Sequence, residues 1–260
     1  MFLFIYGKVE EYHTKAKLIS SPVGMVITCR FKHKPMNNTV LPNKLENIFK
    51  RLFSCYGRQH WWPGETPFEV MAGAILTQNT AWENASRAVG NLKNCSALNP
   101  RALQQMSSDN LALLIRPSGY FNTKALKLKS LVDWLGQTCG FNLSLLEALS
   151  TDHIRHSLLS VHGIGPETAD SILLYALGRP VFVIDAYTRR IISRIGITTG
   201  GDDSYDDYQR LFMANLEPDA VLYNEYHALL VKHAKISCKK QPDCKSCCIT
   251  DICYSCSGRI

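Results

Sequence analysis

The sequence predicts an all-α protein, and two observations carry that prediction. Between its Gly, Pro and Asn/Ser breakers, segments of helical length place apolar residues at i, i+3 and i+4, and the alternating patterns of strands are nearly absent. The 260 residues, 46% hydrophobic and 20% charged, suffice for one large or two small cores. No repeat or low-complexity tract interrupts them.

Residues 1–42, of mixed composition (SSPVG, KHKPMNN), lack sustained periodicity and read as an N-terminal extension. Its start, MFLFIYGKVEEYH, has a short apolar stretch without a basic flank, which argues against a secretory signal. The longest apolar runs fall short of the about 20 residues a membrane span needs, so an intracellular, cytoplasmic protein with no membrane contact is expected. Helices are expected at 43–56, 67–76, 80–93, 100–105, 108–116, 122–138, 144–149, 151–160, 167–178, 186–195, 203–215 and 218–233. Helix 122–138 sets Leu126, Leu128, Leu131, Val132 and Leu135 near one face with Lys124, Lys127 and Lys129 beside it. Pro180 to Ile184 reads as a buried extended link between two helices.

The net charge of +7 sits at the ends: residues 1–42 and 232–260 each carry six bases and two acids, and the stretch between them has 17 bases against 18 acids. A polyanionic partner fits this distribution, although net charge alone does not require one. The ten cysteines are uneven too. Cys29, Cys55, Cys95 and Cys139 are scattered, whereas Cys238, Cys244, Cys247, Cys248, Cys253 and Cys256 crowd the last 23 residues, the distribution of a metal site rather than a disulfide framework.

The most informative stretch is Val161-His162-Gly163-Ile164-Gly165-Pro166-Glu167-Thr168-Ala169, a tight hairpin between two helices. Gly163 and Gly165 are expected to use dihedrals closed to other residues and to let the main chain approach a ligand, with Pro166 in the first helical turn. The following helix is expected to bury Ala169, Ile172, Leu173, Ala176 and Leu177. Outward amides backed by a helix N-terminus bind phosphate, but a lone G-x-G reads equally as an ordinary helix turn. The residues beyond that helix favour the first reading: Gly178-Arg179-Pro180, the apolar link Val181 to Ile184, and Asp185 opening Ala186-Tyr187-Thr188-Arg189-Arg190. This order resembles the helix-hairpin-helix DNA glycosylase superfamily that contains endonuclease III.

The resemblance covers about residues 43–256 and implies two helical domains with a catalytic cleft between them. One is built from both chain ends, 43–63 and 181–237. The other, 64–180, is a six-helix barrel carrying the hairpin, and an iron-sulfur loop follows at 238–256. Double-stranded DNA with damaged bases becomes the implied partner of a monomeric enzyme, which flips the target base out of the stack because the N-glycosidic bond is otherwise out of reach. Gln78, in Leu76-Thr77-Gln78-Asn79-Thr80, stands where the family places a Gln that fills the gap left by the flipped base. Tyr120 and Phe121, in Gly119 to Ala125, match its wedge loop, and Gly163 and Gly165 its DNA-backbone contact. Asp185 combines two readings: an N-cap accepting from the Tyr187 or Thr188 amide, and a catalytic carboxylate that stabilises the developing oxocarbenium ion and orients water.

Glu167 departs from the pattern. Relatives with lyase activity carry at this position a Lys whose amine attacks C1′, and a carboxylate cannot form that Schiff base. The nearest lysines in sequence, Lys129 and Lys232, lie outside the motif, so the chemistry is expected to stop at base removal. Trp61-Trp62-Pro63 and Trp82 place three of the four tryptophans within 22 residues. Core packing claims most tryptophans, yet adjacent Trp61 and Trp62 cannot both face one core from a regular helix, so at least one is expected to line the cleft. An aromatic slot favours a positively charged base such as an N-alkylated purine, through cation–π attraction of roughly 0.5–2 kcal/mol. These tryptophans, LTQNT and Gly-Ile-Gly-x-Glu-x-Ala-Asp resemble a bacterial 3-methyladenine DNA glycosylase branch, from which the cysteine-rich end departs. Cys238-x5-Cys244-x2-Cys247-x5-Cys253 is similar to the 4Fe-4S loop of endonuclease III relatives, leaving Cys248 and Cys256 spare. The rival set Cys244, Cys247, Cys253 and Cys256 would suit zinc. Oxidised or mismatched pyrimidines remain an alternative substrate class, and a non-catalytic DNA-binding hairpin module an alternative without chemistry.

Overall fold

The computed structural model describes residues 40–257, and among the described residues there are helices and loops but no strand. The extension expected over residues 1–42 lies outside the described residues as far as 39. Its last three residues instead open the first helix, α1 (Val40–Tyr56).

The chain continues through α2 (Pro67–Leu76), α3 (Trp82–Asn94), α4 (Pro100–Gln105), α5 (Ser108–Leu114), α6 (Phe121–Cys139), α7 (Thr151–Leu159) and α8 (Pro166–Ser171). After the hairpin helix come α9 (Ala186–Ile195), α10 (Tyr205–Met213), α11 (Ala220–Ile236) and the short α12 (Tyr254–Ser257). Helix starts follow local chemistry: the Thr66, Asn99, Ser107, Ser150, Asp185, Ser204 and Asp219 side chains each accept from a first-turn amide. Such caps contribute about 0.5–2 kcal/mol apiece. The helix expected at 144–149 is a 3-10 segment, Leu143–Ala148. Among the described residues, no helix is long and apolar enough to cross a membrane.

Buried apolar side chains segregate into two clusters. The first gathers Met71, Ile75 and Leu76 of α2, Leu128, Leu131 and Leu135 of α6, Leu158 of α7, and Ile172 and Leu173. The second gathers Leu45, Ile48 and Leu52 of α1, Phe182 to Ile184, Ile191, Ile192 and Ile195 of α9, Phe212 of α10, and Tyr223, Tyr226 and Leu229 of α11. Phe182 stacks on Phe212 with ring centroids 3.9 Å apart, so the apolar link after Pro180 is pinned in the second cluster.

Two expected faces need correction. α6 buries Leu128, Leu131, Val132 and Leu135, but Leu126 is 52% exposed, and Lys124 lies inside. The Lys124 ammonium donates to Leu76 O (2.8 Å), Thr80 Oγ1 (2.9 Å) and Ser118 O (2.8 Å), which meets the rule that a buried charge must be hydrogen-bonded. Burial, followed by repulsion from Lys127, lowers its pKa to about 8. The continuous helix expected at 167–178 is α8 followed by a π-helical turn, Ile172–Ala176. The wider turn rotates the side chains at its end: Ala176 and Leu177 are left half-buried, Leu174 joins the second cluster, and Tyr175 faces a tryptophan-lined cavity.

The hairpin helix is fastened to the link ahead of α9 by a buried carboxylate. Asp170, fully buried, accepts from Arg155 Nε (2.7 Å), Tyr205 Oη (2.8 Å) and Gln209 Nε2 (2.7 Å). Tyr205 Oη in turn accepts from the Ile184 amide, and Gln209 Nε2 also donates to Phe182 O. The main chain on either side of Val183 is thus tied to α8, two residues before Asp185.

Candidate active site

A cavity of about 410 Å³ is lined by Trp61, Trp62 and Trp82, by Gln78, and by Glu167 and Asp185. Its volume lies within the range of small-molecule sites. Both tryptophans of the pair face it, from an irregular loop rather than a helix. Trp62 meets Trp61 edge-on at 5.4 Å, Trp82 edge-on at 5.3 Å and Tyr175 at 5.4 Å and a shallow 32°. The indole of Trp62 lies over Gly73 of α2, where a Cβ would come within 3.2 Å of it.

Asp185 caps α9: its Oδ1 accepts from the Thr188 amide at 2.7 Å. Oδ2 lies 3.7 Å from His227 Nε2, a residue of α11. Glu167 enters from the first turn of α8. Enclosure by the cavity walls and then the Asp185 charge push its carboxyl up to about 7, against the pull of Arg189. A raised folded-state pKa favours the folded protein below the unfolded value and withdraws that stability as pH rises through about 7. Glu167→Gln is therefore expected to raise the melting temperature relative to wild type at pH 8 and to leave it nearly unchanged at about pH 4, below the unfolded value, as thermal unfolding at the two pH values will show. An equal change at both would place the Glu167 carboxyl in ordinary solvent.

Gln78 lines the cavity but is held by the hairpin. Its Nε2 donates to Gly163 O (3.1 Å) and Thr168 Oγ1 (2.9 Å), and its Oε1 accepts from Lys127 Nζ at 2.6 Å. The two hairpin glycines differ. Gly163 has φ +82°, and a Cβ there would lie 2.3 Å from Lys127 Cγ, whereas Gly165 is extended (φ −95°) with open space around it. Only Gly163 needs to be glycine for conformational reasons, contrary to expectation. Tyr120, 73% exposed in a left-handed conformation, projects from the loop before α6, while Phe121 packs against the first apolar cluster. Neither lines the cavity.

The lysines at the cavity are not those nearest the motif in sequence. Lys129 donates to the carbonyls of Leu103 and Gln104, away from the site, and Lys232 does not line the cavity. Lys235 of α11 does line it, and Lys127 packs on the hairpin.

The cysteines gather around a second cavity, of about 90 Å³. Cys238, Cys244, Cys247, Cys253 and Cys256 line it with His233 and Arg194, and Cys248 does not. Arg194 donates to Cys238 Sγ (3.2 Å) and to Lys239 O and Lys240 O, so the far end of α9 grips this loop. Among the described residues, no group of three or more His, Cys, Asp or Glu side chains converges to hold a single metal ion.

Residues 72–218 match the HhH-GPD superfamily base excision DNA repair proteins. The chain belongs to this superfamily. Within the HhH-GPD proteins it is 44% identical over 220 residues to a candidate DNA repair glycosylase of Methanocaldococcus jannaschii, covering 82% of this chain and 98% of that protein. Endonuclease III of Sulfolobus acidocaldarius is 29% identical over 188 residues, 72% of this chain and 81% of that one. The structure of the H. pylori 3-methyladenine DNA glycosylase bound to 1,N6-ethenoadenine matches with TM-score 0.64 and 29% identity, over 75% of this chain and 97% of that one. This HhH-GPD protein is accordingly a DNA glycosylase of base excision repair, with DNA as its partner.

Sequence reasoning missed Tyr175, His227 and Lys235 in this HhH-GPD site. Tyr175 depends on the π-helical turn, and the other two lie on α11, more than 40 residues beyond the hairpin. The clue available in the sequence was the helical spacing of His227, Val231 and Lys235, all of which line the cavity.

Proposed function

We propose that this glycosylase hydrolyses the N-glycosidic bond of N-alkylated purines such as 3-methyladenine, without cutting the strand. The observation that carries the reading is the joining of three tryptophans to two carboxylates around one cavity. Two helical domains, one built around each apolar cluster, bound the cleft that the flipped base enters in this reading. There the electron-rich rings hold a cationic base, which is already a good leaving group, and Asp185 stabilises the positive charge growing on the sugar and orients the attacking water. Gln78, Gly163, Gly165 and Tyr120 face the DNA, with Tyr120 as the wedge and Phe121 as its support. The H. pylori relative, an enzyme of 3-methyladenine, supports this substrate class.

The test incubates purified protein with duplexes carrying defined lesions and follows base release, strand integrity and borohydride trapping. Release of 3-methyladenine, an abasic strand cut only after hot alkali, and no trapped adduct are expected, because Glu167 has no amine to attack C1′. Release confined to oxidised or mismatched pyrimidines would overturn the substrate class. A trapped adduct would overturn the monofunctional reading, with Lys235 the amine to replace first.

For the cysteine loop the proposal is a 4Fe-4S cluster held by Cys238, Cys244, Cys247 and Cys253. The donor chemistry fits: these four thiols line one cavity with apolar side chains of α9 behind them, and the Arg194 guanidinium donates to Cys238 Sγ. The cluster would supply cross-links that hold an otherwise irregular loop against α9. Purified protein is expected to be brown, with iron and acid-labile sulfide in equal amounts. Cys253→Ser should lose the colour, and Cys248→Ser should keep it. A colourless zinc protein in which Cys256 is essential and Cys238 dispensable would establish the rival set.

A further inference from the structure

Among the described residues, three buried side-chain nitrogen or oxygen atoms lack a hydrogen-bond partner: Trp61 Nε1, Thr188 Oγ1 and His227 Nε2. Proteins leave few such atoms unpaired, and these three all belong to one place. Trp61 and His227 line the aromatic cavity, and Thr188 is the residue whose amide holds Asp185. His227 is 5% exposed. Its Nδ1 lies 2.6 Å from Tyr175 Oη, and its Nε2 points across 3.7 Å to Asp185 Oδ2.

This geometry selects one proton arrangement. Burial keeps the imidazole neutral, so one ring nitrogen carries the proton. Burial likewise keeps the Tyr175 phenol protonated. Were the proton on Nδ1, the Nε2 lone pair would face the Asp185 carboxylate across a low-dielectric gap. With Tyr175 donating to Nδ1, the N–H stands on Nε2 and its dipole faces the carboxylate instead. The distance exceeds a hydrogen bond, as is common for active-site contacts that tighten only with substrate in place.

We propose that Tyr175 and His227 form a buried positioning pair for Asp185. Tyr175 sets the tautomer, and the His227 Nε2–H faces Oδ2 while the Thr188 amide holds Oδ1, so the carboxylate plane is fixed as the sugar docks and the Nε2–Oδ2 contact tightens. The inference rests on Asp185 acting in base excision, as in the proposed function. An error of about 1 Å in such a group lowers rates by about 100-fold, which is the margin the pair protects.

The test has two arms. In single-turnover excision on a lesion duplex, His227→Leu is expected to slow base release by about 100-fold while affinity for a duplex with an abasic-site analogue stays within about 2-fold of wild type. His227→Gln, whose amide nitrogen reaches close to the place of Nε2, is expected to recover most of that rate. Nitrogen-15 NMR of the imidazoles is expected to show His227 protonated on Nε2 in the wild type, and on a mixture of the two nitrogens in Tyr175→Phe. Equal losses in the Leu and Gln variants, an unchanged rate in both, or a proton on Nδ1 in the wild type would overturn the pair. If the wild type released no base from any lesion, the proposed function would fail instead, and the tautomer measurement would still decide the pair by itself.

Discussion

Asp185→Asn is expected to bind lesion DNA with wild-type affinity and to release the base about 1,000-fold more slowly or worse. The amide keeps the shape of the carboxylate, and its oxygen can still accept from the Thr188 amide at the start of α9. Asn caps helices as well as Asp, so the melting temperature should stay close to wild type. What the variant loses is the negative charge facing the sugar. Alanine is the poorer probe, because it removes cap and charge together and confuses stability with chemistry. Single-turnover kinetics, DNA affinity and thermal unfolding on the same preparation separate these effects. Wild-type turnover in Asp185→Asn would remove this carboxylate from the reaction.

The largest expected loss of stability comes from Asp170→Ala. The substitution leaves the Arg155 guanidinium, the Tyr205 hydroxyl and the Gln209 amide without their common acceptor. Breaking one side of a buried ion pair costs about 3–5 kcal/mol, and Arg155 retains some solvent access, so the lower end applies. For a chain of this size that is a fall in melting temperature on the order of 10 °C. Asp206 supplies the control: it lies 3.6 Å from the same Arg155 but is 68% exposed, and Asp206→Ala should change stability by less than about 1 kcal/mol. Excision should fall in Asp170→Ala as well, because Tyr205 and Gln209 hold the main chain that presents Asp185. If the two variants melt together, Asp170 is not the anchor that its contacts describe.

Much of the fold was legible because it is local. Helix starts at Pro67, Pro100, Pro166 and Ala186 follow from caps and prolines within a few residues, and the 3.6-residue period located most helices to within a turn. The hairpin, the aspartate behind the apolar link and the paired tryptophans were legible because each is a short contiguous pattern. Errors arose where one residue answers to something distant. Lys124 reads as an exposed lysine beside an apolar face, yet the carbonyls of Leu76 and Ser118, from two other segments, draw it inside. Gly165 reads like Gly163, but only Gly163 meets a side chain from another helix.

By itself, then, the sequence determined the helical class, the capped Asp185, the Glu167 carboxylate in the hairpin and the crowding of thiols near the end of the described chain, all consequences of interactions within about one helical turn or of composition. Only the tertiary structure decided which distant groups complete the site. The π-helical turn swings Tyr175 toward Trp62, and α11, packed on α9 across the second apolar cluster, brings His227 and Lys235 to the cavity. Periodicity specifies which face of a helix is apolar but not which helix will cover it. That choice is made by packing of the whole core, where burial of many side chains outweighs any single local preference.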